Sequence, residues 1–411
     1  MKHKTRYISI LLLLISSLVT AQDTLNDYLE SAAANNPGLQ AKFNEYMAAL
    51  EVVPQVNTLP DPQLAFAWFI NPVETRVGPQ QFKISASQFF PWFGTLDARE
   101  KAATEAAKAK YEQFEEAKSK LFNDVKAEYF NLYLNRKSSM ILKENIRLLE
   151  SIQQIATIKI EAGTASMADE YRLEMELNEM KNQLALLNDN QTALETGFKN
   201  LLHTNEAFNI EMPDSLWETN LPISKTAALD SVKLKNHRLL ELDMKQAALA
   251  YRKEVAENEG RPGFKVGFDY TIIGKGDNNL AGTDAFVFPS VGISLPLYRS
   301  KYKAMVNEVA HLETANRLAA SDKANSLETL FEKSWNEYTD AKRRVALNAE
   351  QLELARKTLN VLESEYATSG NNFEELLRIE RKVLQYHLAF EKAKTDKQAA
   401  IAFLNYLMGK G

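Results

Sequence analysis

The sequence predicts a mainly helical protein with four β-strands in two hairpins, built as two copies of one unit. Three observations lead to this fold class. No proline occurs between Trp92 and Met212, or anywhere after Pro296. Four short segments alternate apolar and polar side chains. Residues of the first half of the chain recur in the second half at a nearly constant spacing.

The chain begins with a basic segment, an apolar segment and small residues, in that order. Three cations lie within the first six residues, residues 8–19 are apolar apart from a few serines, and Ala21 follows. This order is typical of a secretory signal peptide, and the apolar run is shorter than the ~20 residues of a spanning helix. We expect a signal peptide over residues 1–21; a buried N-terminal helix is the alternative.

Composition limits the function classes. Loss of the signal peptide would change the formal net charge from −5 to −8, because three lysine or arginine residues are removed. We therefore expect no nucleic-acid partner. The chain has no cysteine, which excludes disulfides and a lipid-modified N-terminal cysteine, so the protein is expected to be exported but not lipidated. No later segment is apolar for long enough to predict a transmembrane helix.

The proline-free runs predict two long helical hairpins. Proline costs ~3 kcal/mol inside a helix and glycine ~1 kcal/mol, and glycine is rare in both runs. At ~1.5 Å per residue, a helix over residues 97–160 would be roughly 95 Å long, longer than a globular domain needs. We predict hairpins over residues 97–202 and 300–408, with the first turn at Gly163.

Shorter helical and irregular segments are predicted around the hairpins. Residues 23–53 predict a helix with a break at Asn36-Pro37 and an end at Pro54. Residues 236–257 predict a second such helix. Residues 203–225 contain two prolines and predict a linker with little regular structure.

Four strands are predicted at about residues 63–70, 81–90, 264–272 and 286–295. Each has one apolar face and one polar or small face, and each is close to the ~9–11 residues of a tilted membrane-spanning strand. A soluble sheet with one buried face is the alternative. The membrane interpretation is favoured because the hairpins stand between very long helices and because aromatic residues cluster at the strand ends, namely Trp68, Phe69, Phe89, Phe90, Trp92 and Tyr298.

Four strands do not close a membrane barrel, since about eight is the practical minimum. An open sheet edge in lipid leaves backbone groups unpaired, which is not tolerated. We therefore expect two, three or four copies of the chain to assemble into one barrel.

The two halves of the chain carry the same pattern. Apolar positions step by four and three from Leu173 to Leu201, and the same steps recur 206 residues later. The single polar position of this series also recurs, as Gln191 and Lys397. We predict a first repeat over residues 22–205, a linker or equatorial segment over 206–235, and a second repeat over 236–411.

These features together resemble the TolC family of bacterial outer-membrane efflux proteins over the expected mature chain. The resemblance rests on the duplication, on the strand-terminal segments Pro91-Trp92-Phe93-Gly94 and Pro296-Leu297-Tyr298, and on the turns at Gly163 and Gly370. It implies a TolC-like protomer of two helix–strand–strand–long helix–helix repeats. It also implies a homotrimer with a 12-stranded β-barrel, continued by an α-helical barrel that extends from the outer membrane into the periplasm.

The resemblance implies a function as the exit duct of a tripartite efflux system. The duct would pass metal ions or drugs without chemistry of its own. Its partners would be a periplasmic adaptor, an inner-membrane transporter of the RND or another type, and outer-membrane lipid. Residues 59–62, 71–79 and 90–94 are similar to members paired with heavy-metal RND pumps.

The alternative function, from another class, is a secreted soluble coiled-coil scaffold or binding protein. The sequence has no Ser/His/Asp grouping, phosphate loop or HExxH motif, so we expect neither an enzyme nor a cofactor. The histidines are too dispersed to predict a metal site.

The resemblance also assigns an acidic ring at the periplasmic gate. Asp169 lies six residues after Gly163, and Glu375 lies 206 residues after Asp169, with Glu374 beside it. These acids can instead be explained as helix N-terminal residues favoured by the helix dipole. Arg378 stands where the family has a second acid, so it departs from a double ring and can serve as a latch partner instead.

The remaining predicted site residues are turn and junction positions. Gly163 and Gly370 are expected at tip turns that dock the adaptor. Pro91, Gly94 and Pro296 are expected where the barrel strands pass into the helices.

Overall fold

The structure is a computed structural model that describes residues 24–204, 209–276, 282–369 and 372–410. The expected signal peptide and Gly370 lie outside the described residues.

The described chain contains eight helices and five strands. The helices are α1 (residues 24–35), α2 (Pro37–Val56), α3 (Thr95–Glu161), α4 (Met167–Leu202), α5 (Lys225–Lys235), α6 (His237–Glu259), α7 (Arg299–Ser369) and α8 (Phe373–Leu407). The strands are β1 (Gln63–Trp68), β2 (Glu74–Thr75), β3 (Gly78–Phe90), β4 (Gly263–Ile273) and β5 (Ala285–Ser294). The order helix, strand, strand, long helix, return helix occurs twice, as α2-β1-β3-α3-α4 and as α6-β4-β5-α7-α8.

Three local features differ from the sequence-based expectation. The predicted end of the helix at Pro54 is wrong, since α2 continues through it to Val56. Proline removes only one backbone hydrogen bond there, in the last turn, so the helix tolerates it. The strand β2 and the helix α5 were not predicted; α5 begins where the Ser224 hydroxyl accepts a hydrogen bond from the Ala227 backbone N–H at 3.3 Å.

The chain forms two compact units, and each draws on both halves of the sequence. The helical unit comprises residues 24–41, 115–236 and 324–410, apart from the gaps named above. The sheet unit comprises residues 42–114 and 237–323, with one gap.

The sheet is antiparallel throughout, with the strand order β1-β3-β4-β5 and with β2 paired to one end of β3. The central pair joins the two halves of the chain, since Ile84 of β3 lies opposite Tyr270 of β4. At the edges, β1 pairs only with β3 and β5 pairs only with β4 among the described strands. Each edge strand therefore has one side without a β partner.

The helical unit is held together by an apolar core from α3, α4, α7 and α8. Its members are Ile141, Leu142, Ile146, Leu149, Ile152, Leu173, Leu177, Met180, Leu352, Ala355, Leu359, Tyr366, Phe373, Leu376, Leu377, Val383 and Leu384. Many of these positions are three or four residues apart, which is the spacing of helices that pack along their length. The core includes Tyr366 near the end of α7 and Phe373 at the start of α8, so it extends to the helix ends that carry the predicted gate residues.

Candidate functional site

The first tip turn, between α3 and α4, is closed by backbone hydrogen bonds. The Gly163 N–H donates to the Ile160 carbonyl at 2.9 Å and the Thr164 N–H donates to the Lys159 carbonyl at 2.8 Å. This pair of bonds is a Schellman motif, and it requires the left-handed conformation that Gly163 adopts at φ 73°. The next helix begins at once, because the Ser166 hydroxyl accepts from the Ala168 N–H at 3.1 Å.

This turn places Asp169 in the first turn of α4. Its carboxylate accepts a hydrogen bond from the Arg172 guanidinium at 3.1 Å, and its side chain is 16% exposed. The partner is one helical turn away on the same helix. Asp169 is therefore a mostly covered acid whose counter-ion comes from its own helix.

At the second tip, α8 begins without the side-chain cap that α4 has. Asn372 precedes α8 in a left-handed conformation at φ 66°, and its side chain makes no capping hydrogen bond. Glu374 is exposed in the first turn. Glu375 forms a two-bond ion pair with Arg378, with 2.8 Å between Glu375 Oε2 and Arg378 Nε. That guanidinium lowers the pKa of the Glu375 carboxyl.

The two tips therefore carry the same acid–arginine pair at equivalent positions. Asp169 with Arg172, and Glu375 with Arg378, are each three residues apart, and 206 residues separate the pairs. Arg378 binds the acid of its own helix in the described chain. The role of Arg172 was not predicted, although the i, i+3 spacing was visible in the sequence.

The two tips meet at Tyr366, near the end of α7. Its ring packs against Phe373, with 5.1 Å between centroids, and the Lys159 ammonium lies 5.4 Å from its centroid. The hydroxyl is buried and has no hydrogen-bond partner in the described structure. Burial, and then the negative charge of Asp169, raise the pKa of Tyr366. Residues from three helix ends thus form one packed cluster.

A buried acid lies two residues beyond Arg378 in α8, and the sequence did not single it out. Glu380 of α8 is 0% exposed, and neither carboxylate oxygen has a hydrogen-bond partner in the described structure. The neighbouring charges are Glu176 of α4 and Arg381, which bind each other at 2.7 Å. Burial, and then the charge of Glu176, raise the pKa of Glu380 to about 8. Glu380 is therefore mostly uncharged at neutral pH.

The predicted junction residues lie where β-strands pass into helices in the sheet unit. Pro91 follows the last residue of β3, and Pro296 follows β5 after one intervening residue. Gly94 adopts φ 81°, and its carbonyl accepts the Ala98 N–H at 2.9 Å, which starts α3. Pro91 and Pro296 line one common cavity.

The sheet exposes one face made of large apolar side chains. On the edge strand β1, Phe66 and Trp68 are 66% and 74% exposed. The same face continues through Phe82 and Ile84 of β3, as the strand register requires. It reaches β5, where Phe286, Val291 and Ile293 are exposed. Such an extensive exposed apolar surface marks an interaction site.

The opposite face of the sheet is polar or small. Lys83 forms an ion pair with Asp269 at 3.0 Å, and the Ser85 hydroxyl donates a hydrogen bond to the same carboxylate. Glycine and serine occupy neighbouring positions of this face, at Gly267, Ser290 and Gly292. The two faces therefore suit two different environments.

No described helix has the length and hydropathy needed to cross a membrane. Among residues 24–204, 209–276, 282–369 and 372–410, no group of three or more acidic or histidine side chains is placed to hold a metal ion.

Comparisons with known proteins agree with this architecture. Residues 28–202 match the model of the outer membrane efflux protein family. No curated protein is detectably similar in sequence. Solved structures match over nearly the whole chain. The outer-membrane channel OprN is 17% identical with a TM-score of 0.78, covering 96% of this chain and 92% of OprN.

Two further structures show the same fold. CusC is 15% identical with a TM-score of 0.77, covering 95% of this chain and 92% of CusC. The outer-membrane protein VceC from Vibrio cholerae is 14% identical with a TM-score of 0.74, covering 96% of this chain and 98% of VceC. The resemblance to TolC-type outer-membrane efflux proteins is thus confirmed, by sequence over residues 28–202 and by fold over nearly the whole chain.

Proposed function

We propose that this protein is the outer-membrane exit duct of a tripartite efflux system. It is passive: small substrates move through a water-filled passage, and an inner-membrane pump supplies the energy. The family match and the shared fold support an efflux role.

The observation that carries the proposal is the sheet. Its apolar face is exposed, its other face is polar or small, and each edge strand has one unpaired side in the described chain. In lipid, such a sheet is stable only when its edges are paired and its apolar face meets acyl chains. Copies of the same chain would pair the edges, and the outer membrane would supply the acyl chains. A homotrimer closes 12 main strands, counting β1, β3, β4 and β5 from each copy.

The tip acids form the selective part of the duct. Asp169 and Glu375, repeated in three copies, give a ring of up to six carboxylates, with Glu374 beside it. Each of the two ring acids has an arginine of its own helix as counter-ion, so the field is weaker than that of bare carboxylates. The ring still favours cations, because surface ion pairs are loose and exchange with solvent ions.

The turns at Gly163 and Gly370 dock the periplasmic adaptor in this proposal. The described Gly163 turn joins α3 to α4, and its glycine is exposed, so a partner can reach it. The pump is of the RND or another type. Metal ions and drugs remain alternative substrates, and the segments at residues 59–62, 71–79 and 90–94 favour metal ions.

Membrane extraction separates this function from that of a secreted soluble scaffold. Cells that express the full chain are fractionated, and the envelope is washed with high salt and then with carbonate. We expect the mature protein to stay in the outer-membrane pellet, and the detergent-purified protein to conduct ions in a planar bilayer. Release of the protein by the wash would instead support the soluble scaffold.

A further inference from the structure

A polar cavity of about 210 Å³ lies where the strands pass into the helices of the sheet unit. It is lined by residues next to the ends of β3 and β5, by the start of α3, and by the loop before β4. Its charged lining residues are Arg99, Arg261, Lys301 and Glu259, which is an excess of cations.

Two of these cations have no carboxylate partner among the described residues. Arg99 binds Glu259 at 2.8 Å, which accounts for the one acid of the lining. The Arg261 guanidinium instead lies 5.7 Å from the centroid of Trp92, and the Lys301 ammonium lies 5.4 Å from the centroid of Tyr302. Both cations are exposed and line the cavity.

The start of α7 adds to the positive charge. Arg299, Lys301 and Lys303 fall within its first five residues, and its first turn has no acid. A helix N-terminus carries partial positive charge, so cations are unfavourable there and an anion is favourable. These cations raise the energy of the free protein and lower that of an anion complex.

A buried hydroxyl provides an independent indication of a ligand. Thr95, the first residue of α3, is 1% exposed, and its Oγ1 has no hydrogen-bond partner in the described structure. The same residue lines the cavity. An unsatisfied buried hydroxyl is unfavourable, and an anionic oxygen in the cavity would accept its hydrogen bond.

We propose that this cavity binds the phosphate group of an anionic phospholipid headgroup. The proposal rests on the proposed function, because it places the ends of the membrane strands at the level of the headgroups. Phe93 follows the lining residue Trp92, and Leu297 and Tyr298 follow the lining residue Pro296; all three side chains are large, apolar or aromatic, and exposed. They suit the interface and acyl chains beside a bound headgroup, which a free phosphate ion would not need.

The first test compares lipids on the detergent-purified full chain. Phosphatidylglycerol and phosphatidylcholine are titrated separately, and bound lipid is counted by native mass spectrometry. We expect preferential retention of phosphatidylglycerol. The double variant Arg261→Gln/Lys301→Gln should weaken that preference by about 25-fold, since each cation near an anionic lipid surface contributes roughly fivefold.

A charge-matched control variant can be made on α7, the helix that contains Lys301. Arg317→Gln/Lys323→Gln removes the same charge more than four turns further along α7. It should retain the preference for phosphatidylglycerol. An equal loss in both double variants would overturn the proposal, because it would show a general charge effect without a site.

The variant Thr95→Val separates binding from stability. It removes the unsatisfied hydroxyl, so we expect a higher melting temperature without lipid and a smaller lipid-dependent increase. An unchanged lipid-dependent increase would exclude the hydroxyl from the site. The last measurement uses inorganic phosphate alone. An increase in melting temperature equal to that with phosphatidylglycerol would assign the cavity to free phosphate and overturn the lipid assignment.

The outcomes also distinguish this site from the channel function. A protein that enters bilayers and conducts, yet binds both lipids equally, contradicts the headgroup site and leaves the channel intact. A protein that does not enter bilayers contradicts the proposed channel function, on which the headgroup site depends.

Discussion

Removal of the buried carboxyl of Glu380 should stabilise the protein, and the gain should grow with pH. The group is fully buried in the helical unit and neither oxygen has a partner in the described structure. Its pKa is about 8, against an ordinary value of 4.5. The folded state therefore holds its proton between these two values, whereas the unfolded chain releases it. The contribution of this group to stability is therefore largest below pH 4.5 and is lost as pH rises towards 8.

The size of this loss follows from linkage. Each pH unit between the two pKa values costs about 1.4 kcal/mol of unfolding free energy. From pH 5 to pH 7 the wild-type chain should lose about 2–3 kcal/mol through this group, allowing for partial ionisation at pH 5. Glu380→Gln keeps the shape of the side chain and cannot ionise. Its advantage over the wild type should grow by the same amount.

The assay is thermal unfolding of the detergent-purified protein at pH 5 and pH 7. For a chain of this length, a difference of about 2–3 kcal/mol corresponds to roughly 3 °C in Tm. Glu374→Gln is the matched control, since Glu374 is an exposed acid of the same helix, and it should show no such dependence. If the Glu380→Gln advantage were the same at both pH values, the explanation from a buried protonated carboxyl would be wrong.

Three further outcomes concern the tips. Asp169→Ala with Glu375→Ala should raise conductance in a planar bilayer and weaken block by polyvalent cations, since the ring loses its charge; unchanged conductance and block would contradict the gate. Arg172→Gln with Arg378→Gln should do the opposite and strengthen that block, because the acids lose their counter-ions; an unchanged block would show that the arginines do not screen the ring. Gly163→Ala should lower stability by about 1–2 kcal/mol in thermal unfolding, because a side chain is strained at φ 73°. No loss of stability would show that the turn relaxes.

Much of the fold was predictable because two local patterns are strong. Proline-free runs with apolar residues at helical spacing indicated the long helices, and period-two alternation indicated the strands. The end of α2 was misjudged, because proline in a last turn costs far less than in a helix interior. The helix α5 was missed because it is short and follows two prolines; its burial of Ala228 and Val232 depends on tertiary packing.

The tip positions of the candidate gate acids were predictable, but their ion pairs were not predicted. Duplication placed Asp169 and Glu375 at equivalent tip positions without a structure. Their arginine partners were in the sequence at the same spacing and could have been found. The burial of Glu380 could not, because α8 is apolar on several faces and the sequence does not show which face is covered. The Thr95 hydroxyl, which has no hydrogen-bond partner among the described residues, likewise depends on packing between distant segments.

The most direct test of the proposed membrane-spanning sheet is whether only one of the two faces of β4 is accessible to water. The chain has no cysteine, so each introduced cysteine is the only thiol of the protein. Single cysteines are placed at Val266 and Phe268 on one face and at Lys265 and Asp269 on the other. The measurement is labelling of whole outer membranes with a water-soluble maleimide. If one face of β4 lies against water, Lys265→Cys and Asp269→Cys should be labelled. If the other face lies against lipid, Val266→Cys and Phe268→Cys should be protected from the label. Equal labelling at all four positions would contradict a membrane-spanning sheet.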